Sequence, residues 1–369
     1  MENLAHTLLG LSFAKAGLER ATPLAATALV ISSNLPDIDV LGRLQGGTVS
    51  YLEHHRGFTH GFVGLAVLAF ALTLVLGILD RRFRLRRDPF RRPLRPFRIF
   101  LLAYLGGLGH SFMDFTNSYG IRPLRPFSNR WFYGDIAFVV DPWIWLILGS
   151  AVVWLTTTDA ARTLFWLVVW IILSLVVGLA LRYPTDTNPL TVPTAVRVIW
   201  FVGLAVIVAG TLMRWGRAGG LLARYSLLVL VFYYGAMWMT HQSALRRAQG
   251  SLKVDGIESI AVWPAPANPL LWQGAAKTSA AVFTGNIDLY NRGEQWRELP
   301  ALDARLENAM RSSSEARSFL EFMRYGTANV EEGPDGATVV ALRDLRFDLR
   351  MRVELDRELK VMNVDVRWF

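Results

Sequence analysis

The chain has 369 residues, 52% of them hydrophobic, with a formal net charge of +9 and no cysteine. The lack of cysteine excludes disulfides and thiolate metal ligands, so any metal site must use histidine and carboxylate side chains. The arginines that carry most of the charge flank apolar runs, a pattern typical of membrane orientation rather than nucleic-acid binding. We therefore expect no nucleic-acid partner.

The first two predicted elements are short apolar helices. The first covers residues 4–18 and contains His6; the second covers residues 24–33 and leads into Pro36-Asp37-Ile38-Asp39. Each is shorter than the roughly 20 residues that a membrane span needs. Asp37 and Asp39 are either helix caps and turn formers or metal ligands. Residues 40–53 are predicted to form a loop.

A cluster of histidines comes next. His54, His55 and His60 lie within seven residues, directly before the uncharged apolar run 61–79, which is predicted to span the membrane. Imidazole is the commonest metal ligand, and a polar cluster at the end of a membrane helix is costly unless something binds there. We interpret His55 and His60 as ligands and His54 as a proton shuttle. Arg56 is interpreted as an anion-binding residue or, alternatively, as an interfacial arginine.

Residues 80–98 contain nine arginines, and a short loop this basic stays in the cytoplasm. The next predicted span, 99–116, carries His110 and Asp114 at positions i and i+4, on one face of the helix. This pair is either a metal or catalytic site or a polar contact between helices. Four further spans are predicted, over residues 142–156, 164–181, 198–213 and 222–240.

With the arginine-rich loop in the cytoplasm, each predicted helix on either side of it crosses the membrane once, which fixes the side on which every other loop lies. About eight membrane helices are predicted, with both termini outside and all the candidate ligands near the outer leaflet. The loop around residues 182–186 has little charge bias, which fits the outside. We therefore predict a multi-pass membrane protein whose site faces the outside. The family resemblance described below implies that this membrane is the bacterial inner membrane and that the site faces the periplasm.

The composition changes near residue 244. The fold class expected is an all-α polytopic membrane domain over residues 1–243, followed by a small soluble α+β domain over residues 244–369 on the periplasmic side. Residues 345–355 alternate strictly between apolar and polar, which predicts a half-buried strand. The other elements predicted in this domain are strands over 279–290 and 361–368, helices over 302–311 and 315–325, and a proline-rich loop over 263–269.

Four histidines and three aspartates form the predicted ligand set: His6, Asp37, Asp39, His55, His60, His110 and Asp114. Seven groups exceed the four of a tetrahedral zinc site and suit two or more close ions. Nitrogen and oxygen ligands favour Zn²⁺, with Mn²⁺ as the alternative. Such a site can activate water for displacement at a phosphoester. Asp39 is assigned to catalysis as well as to the ligand set.

These motifs, His55-Arg56-Gly57-Phe58-Thr59-His60 above all, together with Pro36-Asp37-x-Asp39 and His110-x-x-x-Asp114, resemble those of a known family. It is the LexA-binding, inner-membrane-associated hydrolase family, the YdjM-like membrane-bound metal-dependent hydrolases. The resemblance covers roughly residues 1–240. Gly61 and Gly109 stand where serines are expected, which affects hydrogen bonding around the ligands. The family is distantly similar to zinc-dependent phospholipase C and P1 nuclease, which implies phosphoester hydrolysis by analogy.

Three functional hypotheses remain open at this stage. The first is a membrane metal-dependent hydrolase acting on a phosphoester, in a lipid or lipid-linked substrate, with the lipid bilayer as its main partner. The second is a metal or proton transporter, although the uncharged runs 61–79 and 164–181 count against a polar path through the membrane. The third is a membrane scaffold whose outer domain binds a partner.

Overall fold

The computed structural model describes residues 1–180, 194–291, 293–333, 336–347 and 349–367. The chain divides into two compact units. The first comprises Met1–Pro36, Phe58–Trp238 and Ala265–Pro269, and the second Asp37–Gly57, Met239–Pro264 and Leu270–Phe369. The predicted domain boundary at residue 243 stays a prediction. The predicted outer loop at residues 182–186 lies outside the described residues, as does Trp368 at the end of the last predicted strand.

Helices make up most of the first unit and a small part of the second. Short 3₁₀ or π turns cover Leu18–Arg20, Leu35–Gly42, Phe58–His60, Asp80–Arg84 and Trp215–Ala218. The α-helices are α1 (Asn3–Lys15), α2 (Ala25–Ser32), α3 (Arg43–His54), α4 (Phe62–Leu79), α5 (Leu85–Arg87), α6 (Pro96–Phe115), α7 (Pro142–Thr156), α8 (Ala160–Ala180), α9 (Thr194–Leu212), α10 (Gly220–Ser251), α11 (Ala304–Met310) and α12 (Ser314–Phe322).

Two helices differ from the sequence-based expectation. The predicted loop at 40–53 is mostly helical, because α3 has an amphipathic pattern that the glycines at 46 and 47 conceal. The last predicted span, 222–240, is part of the 32-residue helix α10, which continues beyond the apolar run to Ser251. The predicted boundary there followed hydropathy, whereas the helical hydrogen bonds continue through the polar residues that follow.

Three described helices are long and apolar enough to cross a membrane: Phe62–Arg87, Thr194–Leu212 and Gly220–Ser251. The expectation of about eight spans is therefore not supported among the described residues. With 13 and 8 residues, α1 and α2 extend only about 20 and 12 Å at 1.5 Å per residue, well short of the hydrocarbon core. Pro142–Thr156 and Ala160–Leu175 are shorter apolar helices.

Glycines bring three helices of the first unit into close contact. A Cβ atom at Gly10 of α1 would lie 2.9 Å from the carbonyl oxygen of Leu29 on α2, and one at Gly106 of α6 would lie 3.0 Å from the same atom. Because neither helix has a side chain there, both approach the C-terminal end of α2. His6 lies one turn before Gly10, and His110 lies one turn after Gly106. The packing therefore carries both histidines to the same end of α2.

The second unit contains two antiparallel four-stranded sheets, with strand orders β1-β2-β3-β4 and β5-β6-β7-β8. Trp263 and Tyr325 are buried in a core cluster within this unit. The helices α3 and α12 pack on each other, and both contact β8. The strands are β1 (Ser259–Ala265), β2 (Asn268–Lys277), β3 (Ala281–Asp288), β4 (Trp296–Pro300), β5 (Gly326–Glu332), β6 (Thr338–Asp344), β7 (Arg350–Leu355) and β8 (Val361–Arg367).

Two predictions in this unit were wrong in detail. The single strand predicted over 345–355 is a turn followed by β7, because the Asp344 and Arg346 side chains pair there and Asp344 N donates to the carbonyl of Leu349. The predicted loop at 263–269 is instead the end of β1, a two-residue turn and the start of β2. Proline has no N–H to donate to a ladder, and it is tolerated here because β1 is an edge strand and Pro269 lies at the start of β2, before the residues that pair with β3.

Candidate metal centre

The first unit buries three histidines and one aspartate against one another. His60 is the last residue of the 3₁₀ turn before α4, His6 comes from α1, and His110 and Asp114 come from one face of α6. All four are at most 1% exposed. Burying that many polar groups without satisfying them is costly, so the cluster requires mutual hydrogen bonds or a bound cation.

Three ligand atoms of this cluster are spaced as a metal would need them. His60 Nε2 and His110 Nε2 lie 3.0 Å apart, and they lie 3.2 and 3.3 Å from Asp114 Oδ2. Zn–N and Zn–O bonds of about 2.0–2.1 Å in a tetrahedron place neighbouring ligand atoms about 3.3 Å apart. The three atoms therefore form one face of a coordination tetrahedron of the size that zinc adopts.

The tautomer of His110 is fixed by the end of α2. His110 Nδ1 lies 2.8 Å from the carbonyl oxygen of Ser33, which can only accept a hydrogen bond. In the neutral ring the proton is therefore on Nδ1, and Nε2 presents its lone pair to His60 and Asp114. Metal-ligating histidines usually donate their second ring N–H to a carbonyl or carboxylate in this way.

His6 approaches the other carboxylate oxygen of Asp114. Its Nε2 lies 3.5 Å from Asp114 Oδ1, and its ring stacks on the His110 ring with the centroids 3.7 Å apart. The α-amino group of Met1 also contacts Asp114 Oδ1. Both oxygens of Asp114 thus face nitrogen atoms, which is the environment of a carboxylate that ligates or bridges cations.

Neighbouring contacts hold His60 in place. The Ser111 hydroxyl donates to the His60 carbonyl oxygen over 3.0 Å, and His60 Nδ1 lies 3.1 Å from Thr59 Oγ1. Gly64 of α4 lies directly under the preceding turn, where a Cβ would overlap the carbonyl of Phe58. In the sequence, the only indication of a role for Ser111 is its position directly after His110. Nothing in the sequence pointed to the Ser33 carbonyl.

The second unit has its own group of potential ligands. Asp37, Asp39 and His55 each offer an atom within 4.8 Å of the others. His55 Nδ1 lies 2.8 Å from Asp39 Oδ1, and the backbone N–H of Arg56 donates to Asp39 Oδ2 over 3.0 Å. Because the carboxylate accepts from Nδ1, Nε2 of the neutral His55 ring keeps its lone pair. This is the carboxylate–histidine arrangement that orients a metal ligand.

Arg56 and Tyr51 lie next to this second cluster. Arg56 is 3% exposed and adopts a left-handed backbone conformation with φ of 55°. The ring of Tyr51 stacks on His55 with centroids 4.4 Å apart. Burial raises the pKa of Tyr51 to about 12; Arg56 opposes that rise, and the carboxylates of Asp39 and Asp37 add to it. Tyr51 therefore remains an uncharged hydroxyl at neutral pH.

The remaining predicted site residue, His54, is different. Its side chain is exposed, and Nδ1 lies 2.9 Å from the carbonyl oxygen of Ser50 on the same helix. It belongs to neither group of potential ligands among the described residues. Its role as a proton shuttle stays a prediction, as do metal ligation by the other seven residues and the anion-binding role of Arg56.

Comparison with known proteins identifies the family. The profile of the YdjM inner membrane protein family matches residues 1–185, half of the chain, including both clusters. The chain belongs to the YdjM inner membrane protein family. The family assignment agrees with the motif resemblance and with an inner-membrane location. It does not extend to the hydrolase activity or to the similarity with phospholipase C and P1 nuclease.

One curated relative of this YdjM-family protein is the "Uncharacterized protein YfhP" of Bacillus subtilis (strain 168). It is 28% identical over 129 residues, which cover 34% of this chain and 36% of the relative. The chain thus spans about a third of the length of that relative. No solved structure matches the chain.

Proposed function

We propose that this YdjM-family protein is a membrane metal-dependent hydrolase that cleaves phosphoester bonds in a lipid or lipid-linked substrate. The observation that supports it most is the spacing of His60 Nε2, His110 Nε2 and Asp114 Oδ2, at 3.0, 3.2 and 3.3 Å. Imidazole and carboxylate ligands in a buried cluster suit Zn²⁺, or alternatively Mn²⁺. A divalent metal bound there supplies Lewis acidity and lowers the pKa of water.

The residues of the first cluster would hold one ion. His60, His110 and Asp114 provide three ligand atoms, and His6 approaches the second oxygen of Asp114. His110 is preset for ligation because its Nδ1–H donates to Ser33. No thiolate is available, and imidazole and carboxylate ligands suit zinc or manganese better than copper.

The second cluster would hold another ion, with some residues as ligands and one that orients a ligand. His55 Nε2 and the Asp37 carboxylate would ligate, while Asp39 holds the imidazole through Nδ1. Arg56, whose guanidinium stays charged at any working pH, would bind a phosphate oxygen through its planar fork. An ion held beside this arginine fits a reaction in which negative charge on the phosphate oxygens needs stabilisation. Multi-pass topology and a site facing the periplasm belong to the same proposal.

Activity of the purified full chain tests this function. Detergent-solubilised protein would be incubated with phosphoester lipids and a chromogenic phosphodiester, with Zn²⁺, with Mn²⁺ and with chelator. We expect metal-dependent release of phosphate or alcohol that chelator abolishes and that Asp114→Asn reduces by about a hundredfold or more. Metal bound at stoichiometric amounts without hydrolysis of any phosphoester would overturn the enzyme and favour the transporter. The absence of bound metal would leave only the scaffold.

A further inference from the structure

A strongly basic segment follows the apolar part of α4. Residues 80–98, which we call the basic segment, contain nine arginines and two aspartates, for a formal net charge of +7. The apolar part of α4, Phe62–Leu79, has 18 residues and extends about 27 Å at 1.5 Å per residue. Because the hydrocarbon core of a bilayer is about 30 Å thick, a span that begins at Phe62 brings the basic segment to the level of the lipid headgroups.

Hydrogen bonds hold the basic segment against the helices of the first unit. The backbone N–H of Leu94 donates to Asp80 Oδ2 over 2.9 Å, and the Leu94 side chain is buried in a core cluster with residues of α2, α4 and α6. The Arg84 side chain donates to the other oxygen of Asp80. The backbone N–H of Arg95 donates to Thr22 Oγ1 over 2.8 Å. The basic segment therefore folds back at the end of α4 instead of extending away from it.

Most charges of the basic segment are not neutralised by other side chains. Its ion pairs within the described residues join Arg84 to Asp80 and Arg91 to Asp88. The other seven arginines are exposed and form no ion pair within the part of the chain that the structure describes: Arg81, Arg82, Arg86, Arg87, Arg92, Arg95 and Arg98. The same end of the first unit thus carries seven positive charges that can attract anions.

Three phenylalanines lie between these arginines and are exposed as well. Phe83, Phe90 and Phe97 are 56%, 99% and 72% exposed. A solvated loop that only fixes the orientation of the protein accounts for the arginines but not for the exposed aromatic rings. Basic segments with aromatic side chains bind at membrane surfaces, where the rings enter the boundary between headgroups and acyl chains. The composition therefore favours contact with lipid over simple exposure to water.

A nucleic acid is the alternative partner, since aromatic side chains among arginines also stack on bases. The position of the basic segment argues against it. Hydrogen bonds and the burial of Leu94 hold the segment at the end of a helix that is long and apolar enough to span a membrane. Lipid headgroups therefore surround it at all times, whereas a nucleic acid would have to displace them.

From the charge, the exposed phenylalanines and the position at the end of α4, we infer that the basic segment binds the headgroups of anionic phospholipids. The arginines contact the lipid phosphates, which a guanidinium can hold through two parallel N–H···O bonds. Each basic residue near an anionic membrane surface adds to the attraction. This site is independent of the metal clusters and of the hydrolase activity proposed for them.

Competition binding in a neutral detergent tests the inference. The full chain is titrated into micelles that carry phosphatidylglycerol with a fluorescent acyl chain, and binding is followed by the anisotropy of the label. Unlabelled phosphatidylglycerol and phosphatidylcholine with identical acyl chains then compete. We expect phosphatidylglycerol to compete at least about fivefold better, and the difference to shrink as salt is added, because exposed charges are screened. Equal competition by the two lipids would overturn the inference.

Variants locate the binding in the basic segment. Arg86→Gln/Arg87→Gln/Arg92→Gln removes three exposed charges, and at about fivefold per arginine we expect about a hundredfold weaker binding of phosphatidylglycerol. The corresponding lysine variant, Arg86→Lys/Arg87→Lys/Arg92→Lys, keeps the charges and should stay within about threefold of the wild type. An equal loss in the lysine variant would mean that charge does not bind the lipid, and the inference would be wrong.

The matched control removes three exposed arginines of the second unit, in the variant Arg297→Gln/Arg305→Gln/Arg317→Gln. It changes the net charge by the same amount as the glutamine variant of the basic segment, so we expect binding within about twofold of the wild type. A loss as large as that of the basic-segment variant would show that only the overall charge matters. A single-stranded oligonucleotide that displaces the labelled lipid better than phosphatidylglycerol would indicate a nucleic-acid partner instead, and either result overturns the inference.

Discussion

The imidazole Nδ1 of His110 donates a hydrogen bond to the backbone carbonyl of Ser33, 2.8 Å away. This contact links the last turn of α2 to the histidine on α6, and it leaves His110 Nε2 facing His60 and Asp114. It depends on the close approach of the two helices at Gly106. A backbone carbonyl thus sets the protonation of a side chain that comes 77 residues later.

The first prediction concerns metal content. His60→Ala/His110→Ala removes two nitrogen atoms of the first cluster, so we expect the loss of one bound divalent ion per chain, measured by mass spectrometry of the purified protein. His241→Gln is the control, because His241 contacts the Trp272 ring and belongs to neither cluster among the described residues. Unchanged metal content in the double variant would show that these residues do not ligate.

The second prediction concerns the carboxylate behind His55. Asp39→Asn keeps an acceptor for His55 Nδ1 but loses the negative charge that raises the basicity of the ring. We expect the metal affinity of the second cluster to fall about 10–100-fold, measured by competition with a fluorescent chelator. Asp255→Asn, an exposed carboxylate of the same unit, is the control. An affinity equal to the wild type in Asp39→Asn would contradict the positioning role of Asp39.

The third prediction uses two glycines of α4. A Cβ at Gly64 would overlap the Phe58 carbonyl, whereas one at Gly77 meets nothing within 4 Å. Gly64→Ala should therefore displace the turn that carries His60, destabilise the protein by about 1–3 kcal/mol and weaken metal binding. Gly77→Ala should be neutral or stabilise by about 0.5–1 kcal/mol. Thermal unfolding with and without chelator measures both, and equal behaviour of the two variants would contradict the packing at Gly64.

The fourth prediction concerns a buried ion pair of the second unit. Arg346 donates to Asp344 over 2.9 Å and to the Phe322 carbonyl, and both side chains are fully buried. Arg346→Met leaves an unpaired buried carboxylate, so we expect a loss of about 3–5 kcal/mol, with Asp344→Leu/Arg346→Met recovering much of it. Denaturant unfolding of the full chain measures the difference.

An exposed pair provides the comparison for that prediction. Arg311 and Glu307 pair at 2.7 Å on the surface of α11, with side chains 43% and 30% exposed. Arg311→Gln should change the stability by less than about 1 kcal/mol. A loss as large as that of Arg346→Met would mean that burial does not determine the cost of breaking the pair at Asp344.

The sequence alone was enough to locate the ligand types and several elements. Without cysteine, any metal site had to use histidine and carboxylate side chains, and the i and i+4 spacing put His110 and Asp114 on one helix face. The helix Pro142–Thr156 matches its predicted bounds, because Asp141 caps it and Pro142 starts it. The family motifs are also short stretches of consecutive residues, so the sequence alone was enough to find them.

Only the tertiary structure decided which of these residues meet. The distances from His60 to His110 and to Asp114 depend on contacts between segments 50 or more residues apart, which no local pattern encodes. The same holds for the contact between His110 and the carbonyl of Ser33. Among the described residues, hydropathy predicted more spans than there are helices long and apolar enough to cross a membrane. Short apolar helices also form where one helix packs against another, as α1 and α2 do.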